Sequence, residues 1–276
     1  MRKNTPNFLV VGVMKGSTSA AAYNLNQHDD VFCLTSFWKA KVNAFYGYNK
    51  DNYVAGLSNE GIKEMDFFNS PDNYNNGKDF YESYFPQIRT AIGEASPNYF
   101  HSVNENNATN TIKNIQDTIG NPKIVILLRD PITRAFSHWN MIQANSPDWG
   151  TRFIGKSFNE CTENMSNDNS KNAILKRSSY FDNIVKFRNA FGNNNIYIAL
   201  QESIKANPAA EYNKIFNFLG VSERPLDAAY NQVHTASYSS TLDEPTKTWL
   251  ASYFKSDVDA LKGLYPNLDY SRWNNY

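Results

Sequence analysis

Lysine, glycine and hydroxyl residues crowd one short stretch, Lys15-Gly16-Ser17-Thr18-Ser19, and that mixture suits the binding of an anion. Backbone N–H groups at a tight turn and a helix start converge on a phosphate, and the helix dipole adds to them. The Lys15 ammonium supplies a full charge. The order is not that of the common ATP loop, where lysine follows a second glycine and stands directly before Ser or Thr. Here Lys15 precedes Gly16, which moves the ammonium toward the middle of the loop. Taken alone, the stretch has an ordinary strand–turn–helix as its lesser alternative. The four histidines stand singly, with no pair at ligand spacing, so no metal site is expected. His28 reads as a solvated residue at a helix end. Cys33 and Cys161 make neither a disulfide framework nor a metal pattern, which predicts a reduced, cytoplasmic setting.

The elements that position these residues alternate. An apolar run from Phe8 to Val11 reads as a buried strand that feeds the loop, and 20–25 reads as the helix after it. Further strands are predicted at 31–34, 90–94, 123–129 and 196–200. Helices are predicted at 79–85 (stopped by Pro86), before Gly120 with Ile112, Ile115 and Ile119 on one face, and from Pro131 through Trp139. Others follow at about 173–191, 208–219 and 244–265. Residues 69–77 read as an Asn/Gly-rich turn, and 233–241 as a hairpin or loop. The long stretch 35–62 carries Trp38, Phe45, Tyr46, Tyr48 and Tyr53, and reads either as an acceptor-side lid or as helices on the core edge. Alternating strands and helices predict one α/β domain over 1–276, a central, mostly parallel β-sheet flanked by helices. Ligands of such sheets bind at the carboxyl ends of the strands. That rule sets Lys15, Glu94 and Arg129 along one rim.

Charge is balanced, with 27 basic and 27 acidic residues, so no nucleic-acid or anionic-membrane partner is indicated. No run approaches the roughly 18 apolar residues of a membrane span. Nothing in the sequence speaks to oligomeric state.

The order Lys-Gly-Ser-Thr-Ser after a strand resembles the phosphosulfate loop of the sulfotransferases that use 3′-phosphoadenosine 5′-phosphosulfate (PAPS). Three further segments follow the same pattern. Arg129-Asp130-Pro131 with Arg134-Ala135-Phe136-Ser137 is similar to the family's 3′-phosphate motif, and a guanidinium with a nearby hydroxyl suits a phosphate. Pairing of Arg129 with Asp130 or another acid is the plain alternative. Lys63-Glu64-Met65-Asp66-Phe67-Phe68, with 79–86 and 93–100, resembles the heparan-sulfate-type and related bacterial enzymes. Lys176-Arg177-Ser178-Ser179-Tyr180 is similar to the family's Arg-x-Gly-x-Tyr helix.

The resemblance implies a P-loop-like sulfotransferase fold and transfer of a sulfonyl group from PAPS, leaving PAP, to an acceptor hydroxyl on a carbohydrate or other small molecule. It implies that Lys15, Gly16, Ser17, Thr18 and Ser19 hold the 5′-phosphate. It assigns Arg129, Ser137 and Tyr180 to the rest of the donor, Lys15 to the leaving group and Glu64 to the acceptor proton, with Glu94 and Asp66 as rival carboxylates. Three positions depart from the pattern: Ala95 where lysine is common, Ser178 in place of glycine, and the 234–238 loop without its usual cations. Two other readings stay open: a P-loop kinase, which needs an acidic magnesium ligand from Glu94 or Asp130, and a non-catalytic nucleotide- or glycan-binding module.

Overall fold

The computed structural model describes residues 5–34, 64–85, 89–103, 110–145, 147–162, 174–224 and 241–276. The aromatic stretch 35–62, Lys63 and the 233–240 loop lie outside the described residues.

Five strands form one parallel sheet: β1 (Phe8–Gly12), β2 (Val31–Leu34), β3 (Ala91–Ala95), β4 (Lys123–Leu128) and β5 (Ile196–Leu200), in the order β2-β3-β1-β4-β5. A parallel sheet covered on both faces needs strands that are apolar on both sides. β1 shows why: Phe8 and Val10 pack into one core, and Leu9 and Val11 into the other. α1 (Thr18–Leu25) and α10 (Pro208–Leu219) cover the first face. The second is covered by α3 (Gly77–Glu82), α4 (Asn98–Ser102), α5 (Thr111–Ile119), α6 (Pro131–Asn145), α8 (Phe181–Phe191) and α11 (Glu244–Leu264). The remaining helices are the single turn α2 (Pro71–Tyr74), α7 (Phe158–Thr162) and α9 (Gln201–Ala206).

β1 lies at the centre, between β3 and β4, and the chain reverses its direction of sheet growth there. Its register against β4 shifts between Val10 and Gly12, so an irregularity in the ladder directly precedes the Lys15 loop. The carboxyl end of β1 is therefore the crevice where a ligand of this fold sits.

Four expectations need correction. The helix predicted from about 173 begins only at Phe181, after a 3-10 turn at Lys176–Ser178; Ser178 and Ser179 favour local turns over helix continuation. The 69–77 turn contains α2, whose start is capped by the Ser70 hydroxyl accepting from Asn73 N–H. His28 is buried: its Nδ1 accepts from Asp30 N–H and its Nε2 bonds the Ser222 carbonyl, each at 3.0 Å, beside the Phe216 ring. Glu94 is not on the rim, because β3 continues to Ala95 and the side chain is buried within the sheet layer.

Candidate active site

The loop after β1 is held in an unusual shape by neighbours from four other elements. Lys15 and Ser17 both take left-handed backbone conformations, φ 71° each, on either side of Gly16. For residues with a Cβ this costs on the order of 1–2 kcal/mol apiece, so the surroundings must enforce it. Gly16 donates to the Val13 carbonyl at 2.8 Å, and Val13 N–H donates to Leu127 of β4 at 2.9 Å. A Cβ on Gly16 would stand 2.5 Å from the Leu127 carbonyl oxygen, so only glycine lets the loop lie this close to β4. Gln201, at the end of β5, donates from Nε2 to the Ser17 hydroxyl. Ser17 is the residue before α1, with Thr18 buried and Ser19 in the first turn. Successive N–H groups at a loop and helix start suit an anion, although that of Gly16 is already given to Val13.

Arginines close on this loop from β4, α6 and the 176–178 turn. Arg129 donates from Nη1 to the Lys15 carbonyl at 3.3 Å and from Nε to Thr133 Oγ1 at 3.1 Å. Arg134 is fully buried, and among the described residues every acceptor it meets is neutral: Ser178 Oγ at 2.7 Å, the Ile174 carbonyl at 2.8 Å, the Met14 carbonyl at 3.4 Å and His138 Nδ1 at 3.1 Å. Burial holds its pKa down at about 9; nearby Tyr180 opposes the drop, and Arg177 and Arg129 reinforce it. Arg177 donates to Asn98 Oδ1 at 3.0 Å and also reaches Met14. The same field holds His138 and His101 well below the ordinary histidine range, again with burial as the main cause. The loop thus sits in a concentration of positive charge within a chain whose total charge balances.

Of the residues singled out in the sequence, Lys15, Gly16, Ser17, Thr18, Ser19, Arg129 and Tyr180 are brought to one place. Tyr180, the residue before α8, donates its hydroxyl to the Arg129 carbonyl at 2.8 Å. Ser137 is buried on α6, one turn beyond Thr133 and Arg134.

Glu64 lies in a segment fastened to the end of β3. Ser96 Oγ accepts N–H bonds from Met65 at 2.9 Å and Asp66 at 3.2 Å, and the Tyr99 hydroxyl accepts from Phe67 N–H at 2.9 Å. Those two hydroxyls point their own protons at Glu94, at 2.6 and 2.7 Å, and Tyr81 adds a third at 3.0 Å. Glu94 therefore orients the oxygens that seat the Glu64 segment. Burial pushes its pKa up to about 7, against the pull of the Ser96, Tyr99 and Tyr81 bonds. Asp66 has φ 45°, accepts from Asn98 Nδ2 at 3.0 Å, and is also raised by burial. Asn98 links it to Arg177, so the Glu64 segment and the arginine cluster share one polar chain.

Sequence reasoning missed the structural parts played by Gln201, which reaches Ser17, and Glu202, which accepts from the Asp130 N–H and the Trp273 indole. Each acts through a partner far away along the chain, and neither carries a local signature.

The fold and loop define an α/β protein of the phosphate-cradle class. The family model for the sulfotransferase family matches residues 6–225, and the chain belongs to that family. The membrane-associated sulfotransferase kil1 of Dictyostelium discoideum is 29% identical over 140 residues, 49% of this chain and 22% of that protein. The human bifunctional heparan sulfate N-deacetylase/N-sulfotransferase 1 is 24% identical over 226 residues, 79% of this chain and 22% of that protein. The chain thus spans under a quarter of the length of these curated relatives. A solved sulfotransferase from Alicyclobacillus acidocaldarius shares the fold, with a TM-score of 0.67 over 98% of this chain and 99% of that one at 23% identity. Among the described residues no helix is long and apolar enough to cross a membrane.

Proposed function

We propose that this chain, read as one domain over 1–276, moves the sulfonyl group of PAPS to a hydroxyl on a carbohydrate. The observation that carries the reading is the Lys15 loop ringed by Arg129 and Arg134, both bonded to neutral acceptors among the described residues. Positive charge held this way, part of it buried, favours a ligand with several negative charges. A 5′-phosphosulfate with a separate 3′-phosphate supplies them at two points.

In this reading the N–H groups of Ser17 to Ser19 and the Thr18 and Ser19 hydroxyls hold the 5′-phosphate, while the Gly16 N–H, given to the Val13 carbonyl, shapes the loop around it. Arg129, Ser137 and Tyr180 form the 3′-phosphate side. The acceptor oxygen attacks sulfur, the bond from sulfur to the bridging phosphate oxygen breaks, and the electron pair stays on the 5′-phosphate of PAP. Lys15 stabilises the charge growing on that oxygen. Glu64 takes the acceptor proton. Its place beside the loop is supported by the Ser96 and Tyr99 contacts that fasten its segment to the rim.

The carbohydrate acceptor is supported by the human relative, whose name gives heparan sulfate. The reduced thiols Cys33 and Cys161, both buried, favour a cytoplasmic setting. The kinase reading is disfavoured by the two acids it would need: both Glu94 oxygens are taken by hydroxyls, and Asp130 is buried with Oδ1 accepting the Thr133 N–H.

Titration with PAP and with ATP, each with and without magnesium, tests the proposal. PAP should bind tightly and independently of magnesium, and ATP weakly. Magnesium-dependent ATP binding without PAP binding would overturn it.

A further inference from the structure

The peptide unit between Arg129 and Asp130 is gripped at both polar ends. Its carbonyl accepts the Tyr180 hydroxyl at 2.8 Å, and its N–H donates to Glu202 Oε1 at 3.0 Å. A peptide unit is planar, so fixing both ends sets the orientation of that plane and with it the place of the Arg129 Cα from which the guanidinium arm extends. Each gripping side chain is in turn held by the segment 241–276. Asp257 on α11 accepts N–H bonds from Tyr180 at 2.9 Å and Phe181 at 3.0 Å, one on each carboxylate oxygen. Trp273, only 1% exposed, donates its indole N–H to Glu202 Oε2 at 3.0 Å, and its ring lies beside that of Tyr180.

Leu250, Phe254, Val258 and Leu261 are buried in the shared core and hold α11 by apolar packing. Asp257 and Trp273 instead direct their hydrogen bonds to the two groups that fix one peptide plane. Both lie beyond the 6–225 stretch that the family model matches.

We propose that the segment 241–276 is a positioning element for the donor, with Asp257 and Trp273 setting the Arg129–Asp130 peptide so that the guanidinium meets the 3′-phosphate. The inference rests on the donor reading above. Neither residue touches the nucleotide; each acts through another side chain, Tyr180 or Glu202.

The test compares PAP with AMP, which lacks the 3′-phosphate, by calorimetric titration of the full chain. The variants are Trp273→Phe, which keeps a ring and loses the N–H, and Asp257→Asn, which keeps the shape and loses one acceptor. Thermal melting checks that each is folded. Each variant should bind PAP about tenfold to a hundredfold more weakly, the range for losing a hydrogen bond to a charged group, while AMP affinity stays within about twofold. An unchanged PAP-to-AMP ratio in folded Asp257→Asn, or equal weakening of both nucleotides, would overturn the positioning role. If the parent protein shows no preference for PAP over AMP, the donor assignment itself falls, a different result from the first two.

Discussion

Replacing Glu94 by glutamine tests whether a buried carboxylate organises the acceptor side. Burial moves this group from an ordinary 4.5 to about 7. The folded protein therefore holds the Glu94 proton more tightly than the unfolded chain between those values. For an acid shifted upward, stability is greatest at low pH and is lost as pH rises through the folded pKa. The expected loss from Glu94 alone is about 2 kcal/mol between about pH 5.5 and 7.5, from linkage with those two values. Glutamine cannot ionise, so this loss should vanish in the variant. The amide must also turn its NH2 toward hydroxyls that are already engaged. Ser96 Oγ receives the N–H groups of Met65 and Asp66, and the Tyr99 oxygen receives that of Phe67. Glu94→Gln should therefore be less stable than the parent by roughly 1–3 kcal/mol at low pH, the cost of an unmade buried hydrogen bond. That gap should narrow by about 2 kcal/mol toward about pH 7.5. Urea unfolding of both proteins at several pH values measures it. Asp130, raised to about 6 mainly by burial and also by Glu202, slopes the same way but is common to both proteins and cancels in the difference. A gap that stays constant with pH would refute the reasoning.

Three further outcomes follow from the same geometry. Arg129→Ala should remove most of the preference for PAP over AMP, about tenfold to a hundredfold in affinity, as read by calorimetry; an undiminished preference would reassign the 3′-phosphate. Gly16→Ala places a methyl group 2.5 Å from the Leu127 carbonyl oxygen, so it should abolish nucleotide binding and lower the melting temperature, and a variant that binds PAP normally would show that the loop tolerates displacement. Shortening the aromatic stretch 35–62 should change acceptor use and spare nucleotide affinity, and a joint collapse of binding and stability would make it core structure instead.

The strands were legible because a parallel sheet buried on both faces demands unbroken apolar runs, and β1 and β4 are such runs. The Lys15 loop was legible because its chemistry is local, five consecutive residues between a strand and a helix. What stayed hidden depends on contacts distant in sequence. Glu94 looked like a rim residue because the predicted strand stopped one position short of Ala95, and nothing local shows that Tyr81 reaches back to it. Arg134 sits in the first turn of an amphipathic helix, where an arginine ordinarily faces water, and the arrival of the Lys176–Ser178 turn and the Met14 carbonyl buries it. His28 was misread for the same reason: α10, far along the chain, covers the end of α1. The short helix α9 carries Gln, Glu, Ser and Lys among its six residues and has too little periodicity to register.

The central claim is that sulfonyl transfer from PAPS depends on a proton accepted by Glu64. Its most direct measurement is transfer of labelled sulfonyl from PAPS to sugar acceptors by the parent protein and by Glu64→Gln, with PAP affinity measured alongside. The account predicts a turnover loss of about 10²–10⁴-fold, as for removal of a general base, and PAP affinity essentially unchanged. Near-normal turnover in Glu64→Gln on an acceptor that the parent protein sulfates would contradict it.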